Sequence, residues 1–289
     1  ERGACWLAPR QCACLTRAHL RRNYWRGISS LVDISKRGPG VAVLTMQRPP
    51  VNSLNTELLQ ALTHSINRLE ADATIDAVII RSVFPKVFCA GLDLSEMYEP
   101  KSPGCLEQFW ASFQECWATL YGSRLATIAA VGGHAPAAGC GLVLACDFRI
   151  GAQGPFTIGL NEAKFGLVAP TWFIPPLQNV VGKRQAEVLL QLGTLVPFDD
   201  ALKIGLLDEL CALDQIMDRA EVQAQKWVAS SRVLAAARAE TKRRIRAPDL
   251  DVLLRDREGD KAQFVALATS APVQAALGAY VRSLSKAKK

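Results

Sequence analysis

LATIAAVGGHAPAAGCGLVLAC, at residues 125–146, is a long apolar stretch without a single Asp, Glu, Lys or Arg. Its length alone would be enough to span a bilayer. However, Gly132 and Gly133, followed by Pro136, interrupt it, and these residue types favour a loop over one continuous helix. The stretch therefore predicts a strand, a loop and a short helix buried in a protein core, and not a membrane span.

Further strand signals lie on the N-terminal side of this stretch. Leu31 to Ile34 and Val41 to Met46 flank Gly38-Pro39-Gly40, a pattern that predicts a β-hairpin. Ala77 to Ile80 is a short, continuous apolar run, typical of a strand that is covered on both faces. Ile128 to Val131 repeats this signature, so we expect both segments to lie inside one sheet.

Apolar residues at three- and four-residue steps predict helices between these strands. Helical patterns cover Leu58 to Leu69, Phe109 to Leu120, Cys140 to Cys146 and Leu177 to Leu192, and shorter strands are expected at Asp147 to Ile150 and Phe156 to Ile158. Because strands and helices alternate, the predicted fold class is α/β, with a largely parallel sheet and crossover helices.

The C-terminal part of the chain has no strand signals. Residues 199–246 and 251–285 are rich in Ala, Leu, Lys, Arg and Glu at helical spacing, with a break near Ala247-Pro248. We therefore expect an α/β core over residues 30–196 and a helical region, suited to oligomerisation, over residues 197–289.

The basic excess of the chain is concentrated at its N-terminal end. The 289 residues carry a formal charge of +7, but the first 32 contain six Arg and one acidic residue, so the rest carries +2. An Arg-rich, acid-poor segment is typical of an organelle-import presequence, which we place at residues 1–29. The alternative is a basic arm that contacts nucleic acid or acidic lipid.

The nine cysteines favour reduced, buried thiols over a disulfide framework. Cys5, Cys12 and Cys14 fall in the presequence, and the others lie mostly in apolar runs. No second pair of Cys or His accompanies Cys12 and Cys14 at the spacing of a zinc site, so no metal site is expected.

Two segments offer backbone N–H groups at glycine-containing turns. In FCAGLDL, at residues 88–94, Gly91 allows a turn that points the N–H of Leu92 into a pocket. In the second segment, the N–H of Ala138 precedes a short helix. If the two loops converge, these groups form an oxyanion hole. The alternative for Gly91 is an ordinary turn.

A single carboxylate, Glu162, lies in the apolar segment FTIGLNEAKFGL at residues 156–167. Apolar surroundings raise the pKa of a carboxyl group towards the range that is useful for proton transfer. The alternative is a residue that merely begins a helix after Asn161.

Two other motifs are weaker. Gly139-Cys140-Gly141 is not a complete dinucleotide-binding fingerprint, and Lys242 to Arg246 is either a phosphate site or a solvated helix face.

Taken together, these segments resemble the crotonase (enoyl-CoA hydratase/isomerase) superfamily, from about Leu31 to the C-terminus. The resemblance rests on AGLDL at 90–94 and PAAGCGLVLACDFRI at 136–150. Within the superfamily, the chain is most similar to the mitochondrial members that isomerise enoyl-CoA, through PPVNSLN at 49–55, IGLNEAKFGLVAPTW at 158–172 and AEVLLQLG at 186–193.

The resemblance implies a spiral of ββα units whose C-terminal helical region builds a homotrimer, in the mitochondrial matrix. It implies acyl-CoA thioester substrates, no separate cofactor and no metal, with the thioester oxygen bound by the N–H groups of Leu92 and Ala138. Family members usually have glycine where this chain has Ala138. The further substrate-binding residues that it implies are Ala90, Gly91, Gly139 and Asn161.

The resemblance also implies a reaction, in which Glu162 moves a proton from C2 to C4 of a 3-enoyl-CoA. The related hydratases use a second glutamate, which would fall at Gly141 of this chain. Isomerisation is therefore favoured over hydration, unless Asp93, Glu96 or Glu99 replaces that glutamate. The other alternative is a non-catalytic homologue that binds RNA through Lys242 to Arg246. For the isomerase, no nucleic-acid partner is expected.

Overall fold

The structure is a computed structural model that describes residues 31–100, 102 and 104–286. The predicted presequence at residues 1–29 lies outside the described residues. The strands of the described part are β1 (Val32–Lys36), β2 (Val41–Met46), β3 (Ala77–Ser82), β4 (Ala126–Val131), β5 (Ala135–Pro136), β6 (Phe148–Ala152), β7 (Thr157–Gly159), β8 (Val196–Pro197) and β9 (Glu209–Cys211).

The described helices alternate with these strands up to β9 and then continue alone. They are α1 (Thr56–Ala71), α2 (Leu94–Met97), α3 (Cys105–Tyr121), α4 (Ala138–Leu144), α5 (Ile174–Val181), α6 (Lys183–Leu192), α7 (Phe198–Lys203), α8 (Ile216–Trp227), α9 (Arg232–Leu254), α10 (Arg257–Ala268) and α11 (Ala271–Lys286). Asn55 sets the start of α1, because its side-chain oxygen accepts a hydrogen bond from the N–H of Leu58 at 3.0 Å.

The main sheet has the strand order β1-β2-β3-β4-β6-β9, and only the β1–β2 pair is antiparallel among its described strands. The predicted hairpin and the largely parallel sheet are therefore confirmed. The stretch at residues 125–146 folds as a strand, β4, and a short helix, α4, as predicted, but the predicted loop between them contains the two-residue strand β5. A second sheet has the strand order β5-β7-β8. Its first strand, β5, follows β4 in the chain and is followed by α4.

Both faces of the main sheet are covered. Along β2, Ala42 and Leu44 belong to the larger apolar cluster, which includes the inner sides of α1 and α3. Val41 and Val43 point the other way and pack in a second cluster with Ala220 of α8. Because side chains alternate along a strand, a strand buried on both faces is apolar throughout, which explains the continuous runs in the sequence.

Strands continue beyond the point where the sequence signals end. The expectation that no strand follows Pro197 is wrong, because β9 at Glu209–Cys211 pairs with β6, and the following helix, α8, packs on the main sheet. β9 is three residues long, too short to give a periodic pattern. The boundary between a core at residues 30–196 and a helical region at 197–289 stays a prediction.

Two predicted helix boundaries also differ. Leu177 to Leu192 is divided between α5 and α6 at Gly182, whose φ of +79° and ψ of 155° are incompatible with a helix. Conversely, α9 continues through Pro248 and ends at Leu254, so the break lies before Asp256, which caps α10. Proline removes one backbone hydrogen bond, but α9 is held to the core on both sides of Pro248, by the pairs of Lys242 and Arg246 with Asp147 and by the buried Leu253.

The described part of the chain contains no single helix that is long and apolar enough to cross a membrane. Residues 257–268 and 271–283 reach that length and apolarity only as a pair, and the pair is bent by 68°.

Candidate active site

A cavity of about 210 Å³ lies between the two glycine-containing loops, the Glu162 segment and the C-terminal helices. Apolar side chains make most of its wall, and Ala90, Leu92, Ala138, Asn161 and Glu162 line one part of it. The structure thus brings together residues that are separated by about 70 positions in the sequence. Gly91 and Gly139, the other two predicted binding residues, are not among the residues that line the cavity; their backbones shape the two loops.

The two loops converge, as the oxyanion-hole hypothesis requires. The N–H of Phe88 donates to the carbonyl oxygen of His134 at 2.9 Å, which ties the first loop to the second. A Cβ atom at Gly91 would lie 3.6 Å from the backbone nitrogen of Ala138. At Gly139, a Cβ atom would overlap the carbonyl oxygen of Cys89, so only glycine permits this close approach.

The N–H of Leu92 has no acceptor within the described part of the chain. Its neighbours are bonded instead, because Leu54 donates to the carbonyl of Gly91 at 2.8 Å and accepts from the N–H of Asp93 at 2.9 Å. Gly91 has a φ of +90°, a conformation that disfavours any other residue. The turn therefore leaves one unsatisfied donor at the cavity wall.

The N–H of Ala138, the first residue of α4, is a second donor without an acceptor among the described residues, because it precedes the first hydrogen bond of the helix. The preceding residue, Ala137, has a φ of +50° and donates its own N–H to the carbonyl of Gly159 at 2.8 Å. With this unusual backbone conformation, the nitrogen of Ala138 lies beside Gly91 of the first loop. The methyl group of Ala138 is buried and leaves the N–H intact.

Glu162 begins a short 3₁₀ helix, Glu162–Phe165, and its carboxyl group also faces the cavity. Glu162 thus begins a helix, as the alternative predicted, and also lines the cavity; its role in proton transfer stays a prediction. Its Oε2 atom is buried and has no hydrogen-bond partner in the structure. Burial raises the pKa of Glu162 to about 7, against an ordinary value of 4.5, because the charged form loses hydration. Near neutral pH this group can both accept and release a proton.

Asn161, next to Glu162, is 8% exposed and its Oδ1 atom lacks a hydrogen-bond partner. An unpaired amide oxygen at the cavity is available to a ligand.

Among the described residues, no group of three or more His, Cys, Asp or Glu side chains is arranged to hold a metal ion.

The position of the expected second acid is filled by an aromatic ring. A Cβ atom at Gly141 would overlap the ring of Phe173, which is 1% exposed. The three carboxylates considered as replacements for that glutamate, Asp93, Glu96 and Glu99, do not line the cavity. Asp93 forms an ion pair with Arg48 at 2.6 Å, and Glu96 accepts from the N–H of Thr56 at 3.1 Å.

Replacing Gly141 with alanine is expected to destabilise the protein by about 1–3 kcal/mol, because the added methyl group must displace the Phe173 ring. Denaturant unfolding measures the change. In a Phe173→Ala background, which vacates the space, the same substitution should lose most of its effect. An equal loss of stability in both backgrounds would contradict this explanation.

The basic run at Lys242 to Arg246 is not one solvated face. Lys242 and Arg246 are mostly buried and pair with Asp147, each at 2.7 Å. Only Arg243 and Arg244 behave as predicted for a solvated surface, where they pair with Glu240. The expectation of a solvated face is wrong for Lys242 and Arg246, because α9 packs one of its sides against the core.

The C-terminal helices form part of the cavity wall, which the sequence did not indicate. Phe264 and Leu267 of α10 and Leu277 and Tyr280 of α11 line it. Their three-residue spacings, 264 to 267 and 277 to 280, were a signal for one apolar side of each helix. The sequence did not reveal which surface that side covers.

Comparison with known proteins agrees with this geometry. The profile of the family described as Enoyl-CoA hydratase/isomerase matches residues 36–287. Enoyl-CoA delta isomerase 1, mitochondrial, from Mus musculus is 40% identical over 259 residues, covering 89% of this chain and 88% of the relative. The Homo sapiens protein of the same name is 39% identical over 252 residues, covering 87% and 82%.

Solved structures resemble the chain in the same way. The crystal structure of human mitochondrial delta3-delta2-enoyl-CoA isomerase matches with a TM-score of 0.86 and 38% identity, covering 90% of this chain and 100% of that one. An enoyl-CoA hydratase from Bacillus halodurans matches with a TM-score of 0.77 at 23% identity, covering 86% and 99%, a likeness of fold alone. The predicted crotonase-like α/β fold with a C-terminal helical region is thus confirmed, and the chain belongs to the enoyl-CoA hydratase/isomerase family.

Proposed function

We propose that this protein is an enoyl-CoA isomerase that converts 3-cis- and 3-trans-enoyl-CoA to 2-trans-enoyl-CoA in the oxidation of unsaturated fatty acids. One observation carries the proposal: an unpartnered carboxyl group with a pKa of about 7 shares a cavity with two unsatisfied backbone donors. The relatives named above as enoyl-CoA isomerases support the same activity.

The reaction begins with activation of the thioester. Its carbonyl oxygen accepts hydrogen bonds from the N–H groups of Leu92 and Ala138, which stabilise the negative charge that develops on that oxygen. Each donor of this kind contributes about 2.7–4 kcal/mol to stabilising the transition state. Because the donors are fixed by the backbone turns at Gly91 and Ala137, they need no rearrangement during the reaction.

Proton transfer by Glu162 then moves the double bond. The carboxylate removes a proton from C2, and the electron pair of that C–H bond delocalises over the oxygen, C2 and C4 as a dienolate. The same carboxyl group returns the proton to C4, which forms the C4–H bond, places the double bond between C2 and C3 and restores the thioester carbonyl. One acid/base suffices, and neither a redox cofactor nor a metal takes part in the proposed steps.

Hydration would need a second group to position and activate water. Glu162 is the only carboxylate among the described residues that line the cavity, and the Phe173 ring lies beside Gly141. Incubation of the purified protein with 3-enoyl-CoA, and separately with 2-enoyl-CoA in water, separates the two activities. We expect rapid isomerisation and little hydration; the reverse result would make the protein a hydratase.

RNA binding by a non-catalytic homologue is the less supported alternative, because Lys242 and Arg246 are engaged by Asp147. RNA binding that falls steeply with salt would favour this alternative.

The proposed assembly is a homotrimer built through the helical region at residues 197–289, and the proposed location is the mitochondrial matrix. The names of the relatives support the mitochondrial part of this proposal.

The pKa of Glu162 predicts the pH dependence of the reaction. The free enzyme must carry Glu162 as a carboxylate to remove the C2 proton, so kcat/KM should rise with pH through about 7. We expect kcat/KM to be about tenfold lower at about pH 6 than at about pH 8. Initial rates with one 3-enoyl-CoA across this range measure it, and a profile that is flat between these values would contradict the assigned base.

A further inference from the structure

Trp110 of α3 occupies a fixed position in the apolar wall of the cavity. Its ring is stacked on Phe264 of α10, with centroids 3.6 Å apart and planes at 10°, and meets the edge of Phe113 at 5.4 Å. Both partners also line the cavity. The position of this one indole ring therefore affects how much of the wall is available to an acyl chain.

A polar contact behind the wall holds the indole in place. The Nε1–H of Trp110 donates to Oδ2 of Asp260, on α10, at 2.7 Å. Asp260 itself does not line the cavity. A tryptophan side chain has two rotatable bonds, and this hydrogen bond together with the Phe264 stack restricts both.

The same carboxylate oxygen collects two further donors. The side-chain amide of Gln114 donates to Oδ2 of Asp260 at 2.7 Å, and the Nε1–H of Trp172 donates to it at 3.3 Å. The charged neighbours of Asp260 on α10 are used elsewhere, since Arg257 pairs with Glu115 and Lys261 with Glu258. All three donors to Asp260 are therefore uncharged, and they connect α10 to α3 and to the 3₁₀ turn Thr171–Phe173.

We propose that Asp260 is a positioning residue that limits the acyl-chain length accepted by the cavity, because it fixes Trp110 in the cavity wall. The proposal rests on the enoyl-CoA isomerase function proposed above. A thioester bound at Leu92 and Ala138 leaves its acyl chain against the remaining, apolar part of the wall, to which Trp110 belongs. Without Asp260 the indole turns aside, and longer chains gain contact area.

The size of the effect follows from the burial of methylene groups. Each additional buried methylene improves affinity by about fourfold. Freeing the space of the indole should therefore favour dodecanoyl over hexanoyl chains, while the reacting end of the substrate is unaffected. We expect a selectivity change of about fourfold or more for Asp260→Ala and about tenfold or more for Trp110→Ala.

The experiment measures the Kd values of hexanoyl-CoA and dodecanoyl-CoA by calorimetry, and kcat/KM for the matching 3-enoyl-CoA pair. Binding of the saturated thioesters needs no turnover, so a protein without isomerase activity would refute the proposed function and still test this inference. Glu258→Gln is the matched control, because Glu258 lies on the same helix, has an exposed side chain and pairs with Lys261. It should keep the wild-type selectivity.

Two further variants separate positioning from a general structural role. Asp260→Asn keeps one acceptor oxygen for the three donors, so it should restore the wild-type chain-length ratio. If Asp260→Ala does not fold, Trp110→Phe removes the donor without changing Asp260 and should still shift the ratio towards dodecanoyl by about threefold. An unchanged ratio in folded Asp260→Ala, or in Trp110→Phe where the alanine variant is unfolded, overturns the proposal.

Discussion

Replacing Glu162 with glutamine is expected to lower kcat for 3-enoyl-CoA isomerisation by about 10²- to 10⁴-fold, towards the upper end of that range. Glutamine has nearly the same shape but cannot accept the C2 proton, and no other carboxylate among the described residues lines the cavity. KM should change little, since the oxyanion donors are untouched. The rate of formation of the conjugated 2-enoyl product measures the effect.

The stability of this variant provides its control. The folded state holds the proton of Glu162 more tightly than the unfolded state, since its pKa is raised from 4.5 to about 7. Its contribution to stability is therefore fully present below about pH 4.5 and is lost as pH rises through about 7. At about pH 8, Glu162→Gln should be more stable than the wild type by roughly 1–3 kcal/mol, by thermal or denaturant unfolding.

A matched substitution separates loss of chemistry from loss of a charge. Glu187→Gln, in an exposed pair with Arg184 on α6, should leave kcat unchanged. Retention of full activity by a folded Glu162→Gln protein would show that a different group moves the proton. Exchange of the C2 proton with deuterated solvent, without net isomerisation, provides a second test, because it should also stop in Glu162→Gln.

Removing the N–H of Ala138 is expected to lower kcat by about 10²- to 10³-fold. Incorporation of lactic acid in place of Ala138 converts the amide to an ester, which keeps the buried methyl group and deletes the donor. It also weakens the Ala137 carbonyl, which accepts from the N–H of Gly141 at 3.1 Å. The fall should appear mainly in kcat, because the charge on the thioester oxygen is larger in the transition state than in the bound substrate. Steady-state kinetics with one 3-enoyl-CoA measures it.

The control is the same chemical change at Val233, the second residue of α9. Its N–H also precedes the first helical hydrogen bond, and its side chain is 78% exposed. An ester at Val233 should leave kcat and KM at their wild-type values. Equal losses at the two positions would indicate a general effect of the ester on folding, and no loss at Ala138 would remove this donor from the mechanism.

The sequence carried enough information for most of the fold and for a candidate set of reacting groups. Continuous apolar runs identified β3 and β4, and the glycine-containing turns predicted Leu92 and Ala138 as donors, because these signals depend on a few neighbouring residues. Glu162 was recognisable as a carboxylate in an apolar segment. The family resemblance then indicated that these distant segments meet.

What the sequence could not reveal depends on contacts between distant segments. Nothing near Gly141 indicates that the Phe173 ring occupies the adjacent space. The hydrogen bond between Asp260 and Trp110 joins residues 150 positions apart, and acidic residues on a helix usually face solvent. Likewise, Pro248 predicted a helix break, but α9 continues because contacts with distant residues, such as the pairs of Lys242 and Arg246 with Asp147, hold it against the core.

Three buried cysteines, in the first loop, in α3 and in α4, have a consequence for the redox chemistry of the protein. Cys89 and Cys116 are fully buried, and burial raises the pKa of each thiol to about 12; burial also raises the pKa of the Cys140 thiol. Peroxide and alkylating reagents attack the thiolate, which is scarce at such positions. A site that depends on backbone donors and one carboxylate should therefore keep working under oxidising conditions that inactivate thiol-dependent enzymes.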